Sequence, residues 1–249
     1  MFKKKSYVKF YCTYPGVASA YPVKKAKDHK HQWLQKISKK YLDDVEEQKT
    51  SKCPFSQIIS TAKCPGIKDI TRRGYILYAP CDIKIVTENN GTTLSWSSME
   101  TFDKEFITYH TPESLLDHID YRPNTCKFIL KFNLPWAVEC SKDLVLLQTH
   151  VHYGGESRFT AATGTLDPRE APNCNIQLFW HVMDGVEIIK AGTPLVQYIP
   201  MPKYMDPEFE ITEDCEKIEK LNGVLKYLAT HTNTRNHKLI KDYLNDTSN

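Results

Sequence analysis

No apolar run in this 249-residue chain approaches the roughly 20 positions that a membrane-spanning helix requires. The longest, Phe128–Leu134 and Leu144–Leu147, are far too short, so a transmembrane helix is excluded. The start is basic, but Tyr7–Cys12 alternates around Lys9 and is not a signal-peptide apolar core, so secretion is not expected. No C-x-x-C pair exists among the eight cysteines, which are scattered with no two within ten positions of each other. That spacing argues against a zinc ribbon or a redox dithiol. Many of these cysteines sit in apolar, strand-like runs and are expected to be reduced thiols that pack as small hydrophobes. The sequence also has no G-x-S-x-G elbow, no G-x-x-x-x-G-K-[ST] phosphate loop and no G-x-G-x-x-G fingerprint, which removes the commonest signatures of hydrolases, phosphate-loop enzymes and dinucleotide binders. No internal repeat or low-complexity tract occurs.

What is present is the balance of an ordinary globular protein: 41% hydrophobic, 11% aromatic and 25% charged residues. The net charge of +3 conceals an asymmetry, because residues 1–52 carry 13 Lys/Arg against 5 Asp/Glu, a balance of +8, while the remainder carries 20 against 25, a balance of −5. The basic residues are lysines, including Lys24, Lys25, Lys27, Lys30, Lys36, Lys39 and Lys40, and Asp43, Asp44, Glu46 and Glu47 follow at once. Base reading and bidentate phosphate recognition favour arginine. The N-terminal segment 1–52 is therefore expected to be a strand-and-helix arm for protein contacts more than for nucleic acid, outside the β-core, with Trp33, Lys36, Lys39 and Lys40 as its partner-binding residues.

Periodicity divides the chain further. Ser6–Cys12 alternates as an edge strand, and His31–Glu47 places Trp33, Leu34, Ile37, Tyr41, Leu42 and Val45 on one stripe of a helix. From Gly74 the period becomes two: Gly74–Ala79, Asp82–Thr87 and Thr92–Trp96 are short β segments, the last two joined by the turn Glu88-Asn89-Asn90-Gly91. Strand-like segments continue at Phe106–His110, Cys126–Phe132, Ala137–Glu139, Leu144–His152, Arg158–Gly164, Asn175–Met183, Val186–Lys190 and Leu195–Ile199, with one helical interruption near Pro112–Asp120. Strands without intervening helices predict an antiparallel sheet pair. The fold class is thus mainly β, an antiparallel β-sandwich of jelly-roll type over 53–203, with an N-terminal helix and a C-terminal helical appendage over 204–249 (Ile211–Ala229 and Asn236–Leu244). The predicted core includes Trp96, Phe106, Phe128, Ile129, Leu130, Trp136, Leu144, Leu146, Phe159, Leu178, Trp180 and Val196.

One constellation has metal-ligand spacing: His150-Val151-His152-Tyr153-Gly154-Gly155-Glu156. On a strand, residues 150 and 152 face the same way, and the following loop can return Glu156 toward them. This resembles the first motif of cupins, with a second cupin-like stretch at Gly185–Pro194. Leu195, Val196 and Gln197 stand where a cupin supplies a further His, and His181 is the remaining candidate for a fourth ligand. The resemblance implies a metal-dependent oxygenase or isomerase holding Fe²⁺, Mn²⁺ or Ni²⁺. Without it, no cofactor is expected and the histidines are ordinary strand-end residues.

Several segments together are similar to an uncharacterised β-rich family of tailed phages from marine and other environmental bacteria. They are Val8–Cys12 with Tyr21-Pro22-Val23 and Trp33; Lys63-Cys64-Pro65-Gly66-Ile67-Lys68-Asp69; Gly74-Tyr75-Ile76 with Pro80-Cys81-Asp82-Ile83; Phe132-Asn133-Leu134-Pro135-Trp136; and Ala191–Pro200. The similarity spans roughly residues 6–203. It implies a single β-rich domain opened by a Trp-bearing helix and brings no activity with it. The expectation is a non-enzymatic phage-encoded protein, a virion component or assembly factor found in the virion or host cytoplasm. Its expected partners are other phage proteins or copies of itself, with nucleic acid ranked lower and no membrane.

Overall fold

The computed structural model describes residues 6–37, 39, 40, 43, 64–98, 105–119, 121–211 and 219. The chain divides into two units, Met1–Tyr204 and Met205–Asn249. The first is mainly β, an antiparallel sandwich of jelly-roll type. Its strands are β1 (Val8–Cys12), β2 (Lys24–Lys25), β3 (Tyr75–Tyr78), β4 (Ile83–Glu88), β5 (Thr93–Ser98), β6 (Ile107–His110), β7 (Ile129–Cys140), β8 (Leu144–Thr149), β9 (Phe159–Ala161), β10 (Gly164–Leu166), β11 (Asn173–Trp180), β12 (Gly185–Ile189) and β13 (Pro194–Pro202). In the second unit, residues 205–211 have no regular secondary structure. The helices expected at Ile211–Ala229 and Asn236–Leu244 lie outside the described residues, apart from Ile211 and helical residue 219. Among the described residues, no helix is long and apolar enough to cross a membrane.

Every pairing is antiparallel. One sheet runs β1-β7-β11-β9, with β6 also on β7; a second runs β10-β8-β13-β3-β2; a third, of three strands, runs β12-β4-β5. Alternation decides which side chains meet. In β11, Cys174, Ile176, Leu178 and Trp180 are buried while Asn173 and Asn175 are exposed, and in β4 Ile83, Ile85 and Thr87 point inward while Lys84 and Glu88 do not. One hydrophobic cluster takes side chains from all three sheets, among them Ile83, Phe132, Trp136, Leu146, Ile176, Leu178, Trp180, Ile189 and Tyr198. Of the predicted core residues, Trp96 and Leu144 are only half-buried; the other ten are buried. The β4–β5 turn needs left-handed backbone, and Asn89 (φ 56°), Asn90 (φ 55°) and Gly91 (φ 74°) supply it. Gly74 (φ 72°) is required for space as well, since a Cβ there would lie 1.9 Å from the Tyr198 carbonyl oxygen.

The arm expected at 1–52 is not separate from the β-core. β1 pairs along its whole length with the second half of β7, from Val8↔Cys140 to Cys12↔Trp136, and β2 pairs with β3. Val17 joins the main core, and Ala26 packs with Ile76 and Tyr78 on the outer face of the second sheet. The boundary at 52 came from counting charge, but the lysines project outward from strands and turns whose apolar neighbours face in. Residues 32–37 are helical as expected, with Trp33, Leu34 and Ile37 half-buried and Lys36, Lys39 and Lys40 exposed; Tyr41, Leu42 and Val45 lie outside the described residues.

Three strand boundaries also differ. Cys126–Phe132 and Ala137–Glu139 were expected as separate strands, yet β7 runs unbroken through Pro135 between them. The β11 register shifts between Asn173 and Asn175 opposite this point, so no ladder N–H is demanded of Pro135, and its carbonyl accepts from Thr13 N–H at 3.0 Å. The segment expected as one strand at Arg158–Gly164 is split into β9 and β10, which belong to different sheets. β8 ends at Thr149, so His150 and His152 lie in a loop, not on a strand.

Candidate functional site

The loop from His150 to Arg158 joins β8 to β9 and, with the start of β13, encloses a cavity of about 150 Å³. His150, Tyr153, Glu156, Phe159, Thr160 and Leu195 contribute to its walls. A cavity of that volume accommodates a molecule of about benzene size. Tyr153 (φ 56°) and Gly155 (φ 78°) both adopt left-handed backbone here, a conformation costly for a tyrosine and maintained by the surrounding packing.

Two anchors hold the loop. Gln197 of β13, 1% exposed, accepts from His152 N–H at 3.2 Å and donates its Nε2 hydrogens to the carbonyls of Ile70 and Arg73 at 2.9 and 2.8 Å. Trp33 donates its indole N–H to the Tyr153 carbonyl at 2.6 Å and packs against the Tyr153 ring, with centroids 5.7 Å apart. The helix that charge alone marked as an arm thus braces one wall of the cavity through its tryptophan. Lys36, Lys39 and Lys40 remain exposed and make no hydrogen bond or ion pair among the described residues.

The four residues proposed as metal ligands do not converge as one ligand set among the described residues. His150 and His152 have ring centroids 4.6 Å apart. Glu156 is engaged elsewhere: it accepts Nε and Nη2 of Arg158 at 2.9 and 2.7 Å and the backbone N–H groups of Ser157 and Arg158 at 3.1 and 3.0 Å. Burial acts to raise the Glu156 carboxyl, but the Arg158 bonds outweigh it and hold the group below its ordinary value. His181 stands between two hydroxyls, Thr160 at 2.8 Å from Nε2 and Thr125 at 3.1 Å from Nδ1. Among the described residues, no group of three or more His, Cys, Asp or Glu is placed to hold a metal ion. The spacing argument assumed a strand through residue 152, and the end of β8 at Thr149 removes the geometry on which it depended.

A second aromatic and imidazole cluster lies on the N-terminal side of Trp33. His29 Nδ1 is 3.2 Å from the Tyr78 hydroxyl, the His29 and His31 rings meet edge-on at 4.7 Å, and His31 is 7% exposed. Burial lowers the pKa of His29, as do His31 and Lys24 beside it, and burial pushes the Tyr78 hydroxyl up to about 12. His152 is lowered by burial and by His150, and His181 by burial and by Arg122. All three imidazoles favour the neutral form. The buried thiols are likewise held protonated, Cys126 at about 11 and Cys174 at about 12, which excludes them as nucleophiles at neutral pH. Gln197, Arg158 and the His29–His31 pair escaped the sequence reading. The only signal was a lone polar residue inside the apolar run of β13 and an Arg two residues after a Glu, and neither pattern is specific.

No protein-family model matches the chain, and no curated protein matches it. Among solved structures, a mutant dUTPase from phage phi11 of S. aureus aligns over 59% of this chain and 86% of its own, with 14% sequence identity and a TM-score of 0.32. Likeness of that degree supports no statement about activity.

Proposed function

We propose that this chain is a non-enzymatic protein encoded by a tailed phage, a virion component or assembly factor that works through its surfaces on other phage proteins or on further copies of itself. The observation that carries the reading is where the exposed apolar side chains gather. Tyr7 (36% exposed) and Tyr11 (47%) lie at β1, and Val186 (57%) and Ile188 (42%) lie on β12, two strands that among the described residues are paired on one side only. Sheet edges with exposed apolar residues are templates for association. The similarity of residues 6–203 to a phage family supports the origin. The interleaved acids and lack of arginine in the N-terminal segment support protein partners over nucleic acid. Mass spectrometry of purified particles tests the reading: the chain is expected in the particle, or bound to its assembly intermediates. Absence from both, with expression confined to early infection, overturns it.

A second reading, a cupin-like metal-dependent oxygenase or isomerase, draws support from His150 and Glu156 lining the same cavity. Metal analysis of the purified protein, compared with His150→Ala/His152→Ala, tests it. Less than about a tenth of an equivalent of Fe, Mn or Ni in the wild type ends that reading.

A further inference from the structure

The strand β9 ends its sheet, pairing with β11 on one side and with no other described strand. Ala162 N–H donates to the Gln177 carbonyl and His181 N–H to the Arg158 carbonyl, both at 2.8 Å, so residues 158, 160 and 162 turn their main chain toward β11. In an antiparallel ladder alternate residues point the other way, which directs the N–H and C=O of Phe159 and Ala161 away from β11. Neither main chain makes a hydrogen bond with any other described group, although Phe159 is 4% and Ala161 2% exposed. Buried main-chain groups are nearly always paired, so this edge carries donors and acceptors that the fold itself leaves unanswered.

The cavity under the 150–158 loop lies against this edge. Phe159, Thr160 and Ala161 all line it, yet side chains alternate along a strand, so Thr160 faces the opposite side of the sheet from its two neighbours. A space that touches all three in succession meets the strand edge-on. The loop and the start of β13 close its other sides, and its volume of about 150 Å³ fits a six-membered ring but not a further strand. Phe159 and Leu195 offer the ring apolar contact. Glu156 is the one carboxylate in the wall, and its oxygens are taken by Arg158 and two main-chain N–H groups. No Lys or Arg lines the cavity, so a ligand carrying net charge would find no counter-charge there.

We propose that this cavity binds a small neutral cyclic amide, whose N–H donates to the Phe159 carbonyl and whose carbonyl accepts from Ala161 N–H. The two main-chain groups lie two residues apart on one edge and present an acceptor beside a donor. An open-chain amide is trans and holds its N–H and C=O on opposite sides. A ring forces them onto the same side, where both reach the edge together. The site uses no metal and no side-chain hydrogen bond, so no sequence motif announces it. It goes beyond the surface-acting reading and does not depend on it.

The test titrates the full chain with 2-pyridone, a six-membered lactam, and follows the amide ¹H–¹⁵N shifts. Saturable binding is expected with a Kd at or below about 1 mM. The shifts should concentrate at residues 150–161 and Leu195, with the Ala161 amide proton moving downfield as it gains an acceptor. N-methyl-2-pyridone keeps the ring and the carbonyl but lacks the donor, and should bind at least about tenfold more weakly. Ala161→Pro deletes the N–H that faces the cavity and no ladder bond, so it should keep the wild-type circular dichroism and lose at least about tenfold in affinity. If that variant fails to fold, the comparison of the two pyridones on the wild type decides alone. Absence of saturable shifts, shifts centred elsewhere, equal affinity for the two pyridones, or a folded Ala161→Pro that binds as tightly as the wild type would each overturn the proposal.

Discussion

Replacing Arg158 with alanine is expected to destabilise the protein by about 2 kcal/mol. The guanidinium gives two hydrogens to Glu156 and a third to the Ile188 carbonyl, so one side chain ties the cavity loop to β12. The Arg158 and Glu156 side chains are 23% and 24% exposed. That places the pair between surface ion pairs worth about 0–1 kcal/mol and buried pairs whose disruption costs about 3–5 kcal/mol. Without Arg158, Glu156 retains only the N–H groups of residues 157 and 158, and desolvation no longer has an opposing charge. Urea unfolding followed by tryptophan fluorescence measures the loss, and Glu156→Gln and the double variant complete a cycle. The double variant should cost about 1 kcal/mol less than the sum of the singles, because removing both partners leaves no uncompensated charge. Since folding lowers the Glu156 pKa, the folded state binds fewer protons there. The pair's contribution is therefore complete above the carboxyl's ordinary value and disappears as pH falls through its lower folded value, so the wild type and Arg158→Ala should converge in acid. A loss smaller than about 0.5 kcal/mol, or a strictly additive cycle, would refute the assignment of the loop anchor to this pair.

Three further outcomes follow from the same geometry. His29, His152 and His181 all have lowered pKa values in the folded state, so the stability they permit is full above the ordinary imidazole value near 6.5 and declines as pH falls through it; melting temperatures at about pH 7.5 and 5.5 should show that decline, weakened in His181→Gln. Gln197→Met keeps the volume but leaves the His152 N–H and the carbonyls of Ile70 and Arg73 without their partner, an expected loss of about 2–4 kcal/mol in urea unfolding; a loss under about 1 kcal/mol would show that water replaces the amide. Trp33→Phe retains the ring contact but removes the indole hydrogen bond to Tyr153, so amide exchange of residues 150–156 should accelerate by about fivefold, equivalent to about 1 kcal/mol, with global stability little changed.

Fold class was legible in the residues because strand alternation is a local property. Ile83-Lys84-Ile85 and Cys174-Asn175-Ile176 show their inner and outer faces without knowledge of a partner, and Asn89-Asn90-Gly91 contains the left-handed backbone its turn needs. Ten of twelve core residues followed from the same alternation. The pairing of strands was not legible, because hydrogen bonds between β1 and β7 join residues more than 120 positions apart and neither sequence names the other. Hence the charge count set a boundary at 52 although β1 and β2 pair into the β-core, and Cys126–Phe132 and Ala137–Glu139, expected as two strands, are one strand through Pro135 where the partner register shifts. The site diverged for a related reason. Two histidines one residue apart share a face only while a strand continues, but β8 stops at Thr149, and beyond it His152 N–H bonds the Gln197 side chain and not a neighbouring strand. Periodicity gave each segment its buried face; only the tertiary structure decided which groups compete for each hydrogen bond. That competition assigned Glu156 to Arg158 and His181 to two threonines.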